Sequence, residues 1–299
     1  MDLMVSLGIW LFVMTLFLVD TEITLRFVGR YADPHLRLGW WTALLLVPWV
    51  TLLLSPLRTW AAAGLALAVA WGLVRHAAAY RALRRRLPGA PEGVVERVRA
   101  LAREFGVRQL PEILYDPSDR MEPAAVGLFR PALVLTPSAL DLPEQDFRAV
   151  VAHELAHALR RDPLRLWAGG ITGAVLGWHP LIRRACRLFT LEVEMAADWQ
   201  AAAWAGDRRA YALALGRWGL RRHGDHGSPV GAAFATAPAH LLPRLHYLLD
   251  PTAAAPHLRP PLGLRDPGPG RRGSGAARWA HLALAAAYTA LSAVMTRVF

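Results

Sequence analysis

The sequence predicts a mainly α-helical, multi-pass membrane protein with an α+β domain between its membrane segments, and three observations lead to that fold class. Hydrophobic residues make up 54% of the 299 residues and charged residues only 19%, whereas a typical soluble chain has about 25% charged residues. A polar stretch with mixed helix and strand patterns covers residues 76–278. Uncharged apolar runs flank that stretch at residues 3–19, 39–57, 59–74 and 279–296.

The four apolar runs predict four transmembrane helices, because each is close to the roughly 17–25 residues that cross the hydrocarbon core. No basic segment precedes the first run and no small-residue cleavage site follows it, so we expect a retained span. A stretch rich in proline, glycine and arginine before the last run predicts a flexible linker. The predicted division is a three-helix membrane region at 1–75, a polar domain at 76–250, the linker at 251–278 and a C-terminal transmembrane helix at 279–296.

The basic residues predict the orientation in the membrane. The net charge is +11, and all 34 basic residues are arginine. A nucleic-acid-binding surface would gather them in one patch or stripe, but they lie where apolar runs end, which is typical of cytoplasmic flanks. The sequence therefore predicts no direct nucleic-acid partner and a place in the cell (inner) membrane. The loop 20–38 and the domain after residue 75 should lie in the cytoplasm, with the 55–58 turn and both termini outside.

Periodicity and turn residues predict the elements of the polar domain. Helical patterns cover 92–105 and 141–161, and short strand patterns cover 112–116 and 132–136. We expect Asp141 to cap the second helix, with Pro143 and Glu144 in its first turn.

That second helix carries a His-Glu-Leu-Ala-His motif at residues 153–157. Histidines four residues apart share a helix face, so both imidazoles can reach one Zn²⁺ ion. Glu154 projects beside the open coordination position, where it can take a proton from the metal-bound water and pass it to the leaving amine. The motif predicts a zinc-dependent endopeptidase, with His153 and His157 as ligands and Glu154 as the catalytic residue.

A catalytic zinc site needs a third protein ligand, and Glu194 is the candidate. Glu194 and Asp198 lie four residues apart among small residues, so they share a helix face. Glu194 can bind the metal, and Asp198 can accept the outer N–H of a ligand histidine and fix its tautomer. Glu192 points elsewhere and is predicted to be a solvated carboxylate. A di-iron site would need a second Glu-x-x-His motif on another helix, and the sequence has none.

Two further features concern catalysis. A donor besides zinc has to stabilise the oxyanion of the transition state, and His240 and Arg244 are candidates for it. The predicted strand 132–136 precedes the motif helix by a short loop, so an exposed edge there would bind an extended substrate by strand addition. A strand that only packs in the core is the equal alternative.

The apolar run 166–182 raises a question of topology. A single crossing there would separate Glu194 from His157 by roughly 30 Å, so both could not bind one ion. Its glycines and Pro180 predict a re-entrant or membrane-surface hairpin that protein shields from lipid. The active site would then lie at the cytoplasmic face, close to the bilayer.

The same motifs carry a resemblance to a known family. The supporting stretches are residues 124–137 with their Phe-Arg-Pro segment, 153–162, the Trp-His-Pro-Leu segment 178–181, and 194–198. They resemble the membrane metallopeptidases of the BlaR/MecR beta-lactam sensors. The resemblance implies a zincin-like fold, zinc ligation by His153, His157 and Glu194, catalysis by Glu154, and a role in signal transduction with a transcriptional repressor as substrate.

The sequence departs from that family in two places. Ala197 stands where the family often has cysteine. The family's sensors carry an extracellular ligand-binding domain after the last span, whereas this sequence ends at Phe299, which predicts that a separate sensor protein would supply any sensing. HtpX/CAAX proteases are near neighbours, since they also pair the motif with a Glu-x-x-x-Asp helix, but the Phe-Arg-Pro and Trp-His-Pro-Leu segments favour the BlaR/MecR family.

Three functions remain open on this basis. The leading one is a regulatory endopeptidase that cuts a cytoplasmic protein, with the lipid bilayer as its surroundings. An HtpX-like quality-control protease would use the same chemistry on broader substrates. A non-catalytic zinc-binding receptor or scaffold is the third, but structural zinc is usually closed by four ligands rich in cysteine, whereas three ligands with Glu154 describe an open site.

Overall fold

The computed structural model describes residues 3–27, 34–53, 55, 57–224 and 238–250. This part of the chain is mainly helical with one small sheet, as the sequence predicts. Its elements in chain order are α1 (Leu3–Phe27), α2 (Pro34–Leu53), α3 (Arg58–Arg86), α4 (Glu92–Glu104), β1 (Glu112–Tyr115), β2 (Ala124–Val126), β3 (Ala132–Leu135), α5 (Pro137–Leu140), α6 (Glu144–Leu159), α7 (Asp162–Leu176), α8 (Pro180–Ala205), α9 (Arg208–Gly224) and α10 (Pro238–Leu249).

Within the part of the chain that the structure describes, three helices towards the N-terminus are long and apolar enough to cross a membrane. They are Met4–Ile23 within α1, Pro34–Leu53 and Arg58–Arg86. These correspond to the first three predicted spans, although α3 continues through the arginines that follow the apolar run and ends at Arg86. The predicted linker 251–278 and fourth span 279–296 lie outside the described residues.

The described residues form two compact units. The first unit contains those of 1–73 and 168–192, and the second contains 74–167 and 193–250. The first unit therefore joins α1, α2 and the start of α3 to most of α7 and the first half of α8. Residues 168–192 group with the candidate spans, and they include most of the segment 166–182 that the sequence predicts to be re-entrant or at the membrane surface.

Polar contacts between helices organise the first unit. The Trp10 indole of α1 donates to the Thr51 hydroxyl of α2 at 3.2 Å, and the Trp49 indole of α2 donates to the Thr172 hydroxyl of α7 at 3.0 Å. Indole and hydroxyl groups inside an apolar bundle need such partners, because an unpaired polar group there is costly. These contacts fix α7 beside the two N-terminal helices.

The apolar run 166–182 contains a reversal of the chain. Helix α7 ends at Leu176 and α8 begins at Pro180, and the two pack so closely that a Cβ on Gly169 would lie 3.1 Å from the Phe189 ring. Gly177 occupies the turn, where a Cβ would overlap the Gly173 carbonyl oxygen. The run thus forms a helical hairpin, and its depth in a membrane stays a prediction.

The prediction of a solvated Glu192 is wrong. Its side chain is fully buried, and Arg37 Nε donates to both of its carboxylate oxygens, at 3.0 and 2.9 Å. The pattern along α8 could not reveal this, because the cation comes from α2, far away in the sequence.

The sheet of the second unit has the strand order β1-β3-β2. Strand β3 pairs in parallel with β1 and antiparallel with β2, and its four residues are all buried. Of the two alternatives for 132–136, the exposed edge is therefore wrong and the strand that packs in the core is confirmed, because β3 is central and buried. Strand β2, which sequence patterns did not predict, lies at an edge instead.

The motif helix α6 is the centre of the second unit. It begins at Glu144 after Pro143 and has no side-chain cap, while Asp141 ends the short helix α5, so the predicted capping role of Asp141 is wrong. Twelve of its residues are buried, and most of the apolar ones, such as Phe147 and Leu155, pack in one core with α4, α9 and the sheet. Such close packing leaves the helix little freedom to move, which fixes the direction of its polar side chains.

Candidate metal centre

Helix α6 directs two imidazoles to one point. His153 and His157 are 4% and 8% exposed, and their Nε2 atoms lie 3.1 Å apart. Their spacing of four residues places them one turn apart on the same face of the helix.

Glu194 of α8 completes a cluster of three possible ligands within the second unit. One carboxylate oxygen lies 3.4 Å from His153 Nε2, and the other lies 3.6 Å from His157 Nε2. A tetrahedral ion with ligands at about 2.0–2.1 Å separates neighbouring ligand atoms by roughly 3.4 Å. One ligand atom from each of the three side chains lies within 4.8 Å of the other two, so the cluster is close enough for all three to bind one ion.

Buried carboxylates hold the outer side of both imidazoles. His153 Nδ1 lies 3.1 Å from Asp198 Oδ1, and His157 Nδ1 lies 2.9 Å from Asp162 Oδ2. A proton on each Nδ1 leaves both Nε2 lone pairs directed at the Glu194 carboxylate. The two Nε2 atoms and the Glu194 carboxylate thus direct several lone pairs at one point. A cation there would be attracted to all of them, so this donor set fits a bound metal.

Arg244 of α10 orders the carboxylates of α8. Its Nε and Nη2 donate to the two oxygens of Asp198 at 2.6 and 2.8 Å, and its Nη1 lies 3.0 Å from Glu194 Oε2. The Tyr211 hydroxyl donates to Asp198 Oδ1 at 2.8 Å. Because two carboxylates occupy the Arg244 guanidinium, this geometry suits holding the ligand set better than the predicted contact with an oxyanion. His240, the other oxyanion candidate, is half-buried one turn earlier on the same face of α10.

The charges of the cluster shift its protonation equilibria. Burial lowers the pKa of His153, but the hydrogen bonds and charges of Asp198 and Glu194 outweigh burial and raise that pKa to about 9. Burial raises the pKa of the Glu194 and Asp198 carboxyls, but the positive charge of Arg244 and the histidines leaves both pKa values far below the ordinary range. Both carboxylates are therefore ionised at neutral pH.

Glu154 lies beside the cluster with its carboxylate next to strand β2. The side chain is 5% exposed, and its Oε2 accepts a hydrogen bond from the backbone N–H of Ala125 at 2.8 Å. Burial raises the pKa of the Glu154 carboxyl above its ordinary value, against the opposing effect of the two histidines. A raised pKa makes this carboxylate a stronger base than an exposed glutamate.

Sequence reasoning missed two residues of this cluster, Asp162 and Tyr211. Asp162 is fully buried, and Arg165 Nη1 donates to its Oδ1 at 2.8 Å. It comes close to His157 because Arg161 adopts a left-handed backbone conformation, with φ of 56°, which ends α6 and turns the chain into α7. The spacing of Asp162 from the motif offered a signal, while nothing in the sequence indicated Tyr211.

The membrane-length helices and the His-His-Glu cluster define a membrane-associated protein with a candidate metal centre. A family model described as BlaR1 peptidase M56 matches residues 42–248 of the chain. The match runs from α2 to α10 and includes the motif helix and Glu194. The chain belongs to this family and is a membrane-associated metallopeptidase. No curated protein matches the chain.

Proposed function

We propose that the protein is a zinc-dependent endopeptidase in which His153, His157 and Glu194 hold the metal and Glu154 is the catalytic base. The observation that carries this proposal is the closeness of three ligand side chains. The two imidazole Nε2 atoms lie 3.1 Å apart, and the Glu194 carboxylate has one oxygen 3.4 Å from His153 Nε2 and the other 3.6 Å from His157 Nε2, separations that suit a tetrahedral zinc site. The outer carboxylates Asp198 and Asp162 support it, because ligand histidines usually donate their second N–H to such a group. The donor set contains no cysteine and leaves a position open, as catalytic zinc sites do.

Glu154 performs the proton transfers in this proposal. A zinc ion in the site would supply Lewis-acid activation of water and of the peptide carbonyl. The Glu154 carboxylate accepts a proton from the attacking water, holds it, and delivers it to the nitrogen of the leaving amine. Its raised pKa, caused by burial, suits both halves of this transfer, because the same group must accept and then release the proton near neutral pH.

Strand β2 is the proposed place for the substrate backbone. The Ala125 N–H does not serve the pairing with β3 but donates to Glu154. The side of β2 away from β3 therefore faces the catalytic carboxylate. An extended peptide that pairs with this edge would bring its own carbonyl groups next to Glu154, and backbone pairing would demand little of the substrate side chains.

The substrate that this proposal favours is a cytoplasmic protein, with a transcriptional repressor as the leading candidate. The arginine-rich end of α3, residues 84–86, supports a cytoplasmic location for the second unit by the positive-inside rule. Membership of the BlaR1 peptidase M56 family supports a regulatory role.

The test is a comparison of new protein N-termini in cells that make the native chain or the Glu154→Gln variant. Glutamine keeps the size of the side chain and removes its basicity. New N-termini that depend on Glu154 and map to one repressor would support the whole proposal, whereas many membrane-protein fragments would replace regulation with quality control. Identical sets of N-termini, in cells where both proteins are present in equal amounts, would overturn the peptidase mechanism.

A further inference from the structure

The first half of α8 presents two different faces. Ile182, Ala185 and Phe189 are 1%, 4% and 3% exposed, and their spacing of three or four residues places them on one side of the helix. Arg183 and Arg187, four residues apart, are exposed on the other side. This half of α8 belongs to the first unit, which also contains the candidate spans α1 and α2. The first unit therefore carries two exposed cations on a helix whose other face is packed inside it.

Contacts within the first unit show where these arginines lie along the spans. Leu181 and Ala185 of α8 line a small cavity together with Trp41 and Leu44, which are near the middle of α2. Arg183 stands between Leu181 and Ala185 in the chain. It therefore lies beside the middle of a candidate span, and not beside the end.

The hairpin turn between α7 and α8 gives a second indication of depth. His179 Nε2 lies 3.2 Å from the Thr15 hydroxyl oxygen of α1, and Thr15 is eight residues before the end of the candidate span Met4–Ile23. Eight residues of an α-helix cover about 12 Å. Arg183 Nε donates to the Gly177 carbonyl oxygen of the same turn at 3.1 Å, which directs the guanidinium to that turn. A charged group thus lies within the length of α1 that is apolar enough to cross a membrane.

The neighbouring helices expose apolar residues instead. The exposed residues of α2 beyond its first turn are Gly39, Ala43, Leu46, Val50 and Leu53. Those of residues 168–178 are Ala168, Gly170, Ala174, Val175 and Trp178. Such faces suit lipid tails, whereas an arginine within a membrane is costly unless it faces protein or a water-filled cavity. Because the structure leaves Arg183 and Arg187 exposed rather than covered by protein, water is the environment that suits them.

We propose that the outer face of α8, with Arg183 and Arg187, lines a water-filled cleft within the membrane, and that this cleft attracts anionic groups. The exposed faces of α2 and of residues 168–178 contact lipid. Guanidinium groups suit carboxylates and similar oxyanions, which they bind through pairs of N–H donors. The inference concerns contacts inside the first unit and does not depend on the metal site.

The test measures how fast single cysteines react with a water-soluble maleimide in the full-length chain in lipid nanodiscs. The background is Cys186→Ser, and the variants are Arg183→Cys and Arg187→Cys. The matched controls are Leu46→Cys and Val50→Cys, because these residues of α2 are 54% and 47% exposed in the same unit. We expect the arginine positions to react ~100-fold faster, since the thiolate is the reacting form and lipid tails raise the pKa of a thiol.

The charge of the cleft is measured in the Arg187→Cys variant with two thiol reagents of similar size, an anionic sulfonate and a cationic trimethylammonium compound. We expect the sulfonate to react ~10-fold faster, because Arg183 remains beside the thiol and steers anions towards it. The preference should shrink at high salt, which screens this attraction. It should also shrink when Arg183→Gln is added.

Each result supports or overturns a part of the proposal. Reaction at both arginine positions as slow as in Leu46→Cys would overturn the cleft, since protein or lipid would then cover this face. Reaction in Leu46→Cys as fast as at the arginine positions would overturn the membrane location of α2, and the cleft with it. Fast reaction without a preference for the sulfonate would overturn the attraction of anions alone. Should Arg183→Cys unfold because its bond to Gly177 is lost, the rate in Arg187→Cys decides.

Discussion

At the residue scale, the metal centre depends on buried charges that compensate one another. Asp198 receives hydrogen bonds from Arg244 and Tyr211 and lies 3.1 Å from the outer nitrogen of His153. Asp162 has the equivalent position behind His157, with Arg165 as its cation. Each histidine of the cluster therefore has its own carboxylate, and each carboxylate has an arginine that lowers the cost of its burial.

The substitution Asp198→Asn should weaken zinc binding by ~10–100-fold, because the neutral amide no longer fixes the imidazole of His153 or balances Arg244. Competition with a chelator of known affinity measures this change in the purified protein. The matched control is Glu112→Gln, which removes the exposed carboxylate that pairs with Arg84 in the same unit. Equal zinc affinities in the two variants would contradict the role of Asp198.

The affinity for zinc should rise with pH and level off at about pH 9, because the metal has to displace the proton that metal-free His153 holds below its pKa of about 9. One displaced proton corresponds to at most about a tenfold change in affinity per pH unit. Zinc titrations between pH 6 and 10 measure the slope. In Asp198→Asn the plateau should begin at a lower pH, since the carboxylate that raises this pKa is gone. An affinity that does not change with pH would contradict this assignment.

Local patterns predicted which side chains lie together in the His-His-Glu cluster, because spacing along one helix determines which side chains share a face. His153 and His157, and likewise Glu194 and Asp198, are separated by four residues. Such patterns could not predict the contacts of Glu192 and Tyr211, since their partners lie in other elements of the fold. Burial of Glu192 depends on Arg37, and no pattern within α8 contains that information.

At the scale of elements, Glu154, the proposed catalytic residue, has its carboxylate held by an edge strand of three residues. Strand β2 pairs with β3 on one side and presents the Ala125 N–H to Glu154 on the other. Its Ala-Ala-Val sequence has little strand propensity, which is why the sequence did not predict it. Strand β3 is more apolar and was predicted, but its place in the centre of the sheet follows only from the pairing with β2.

The substitution Ala125→Pro should lower kcat/KM by ~10–100-fold, because it removes the backbone N–H that donates to the Glu154 carboxylate at the edge proposed for the substrate. Proline is tolerated at strand edges where its missing N–H does not serve the sheet, so the melting temperature should change little. Ala125→Ser keeps the N–H and is the matched control. Cleavage of a substrate identified by its new N-terminus measures the effect. Full activity in Ala125→Pro would contradict the use of this edge.

The reversal of the chain between α7 and α8 was predicted from the expected metal site rather than from the secondary-structure propensity of the residues. A simple span at 166–182 was incompatible with His157 and Glu194 binding one ion, and the chain does reverse there at Gly177. The start of α6 shows the limit of local rules, because Asp141 has the composition of a helix cap but ends α5. A polar residue between two helices can end the first or begin the second. The packing of both helices decides between these two roles.

At the scale of the whole molecule, composition predicted the candidate membrane spans. It did not predict which later residues of the chain pack with those spans. Apolar length identified α1, α2 and α3, and these helices are the candidate spans. The grouping of 168–192 with the spans came from tertiary contacts such as that of Trp49 with Thr172. Orientation remains a prediction of the positive-inside rule.

Cysteine labelling tests that orientation. In a Cys186→Ser background, which removes the only native thiol, cysteines replace the exposed residues Ala100 of α4 and Thr59 at the start of α3. A membrane-impermeant maleimide should label the Thr59→Cys variant in intact cells, and should label Ala100→Cys only after the cells are permeabilised. Labelling of Ala100→Cys in intact cells would contradict a cytoplasmic second unit.

The most direct test of the central claim is the zinc content of the purified full-length chain, measured by elemental analysis in the native, Glu154→Gln and His157→Ala forms. The proposed site predicts about one zinc ion per chain in the native protein and in Glu154→Gln, because Glu154 is not a ligand, and little zinc in His157→Ala, which loses one of three ligands. A native chain without zinc, or a zinc content that survives His157→Ala unchanged, would contradict it.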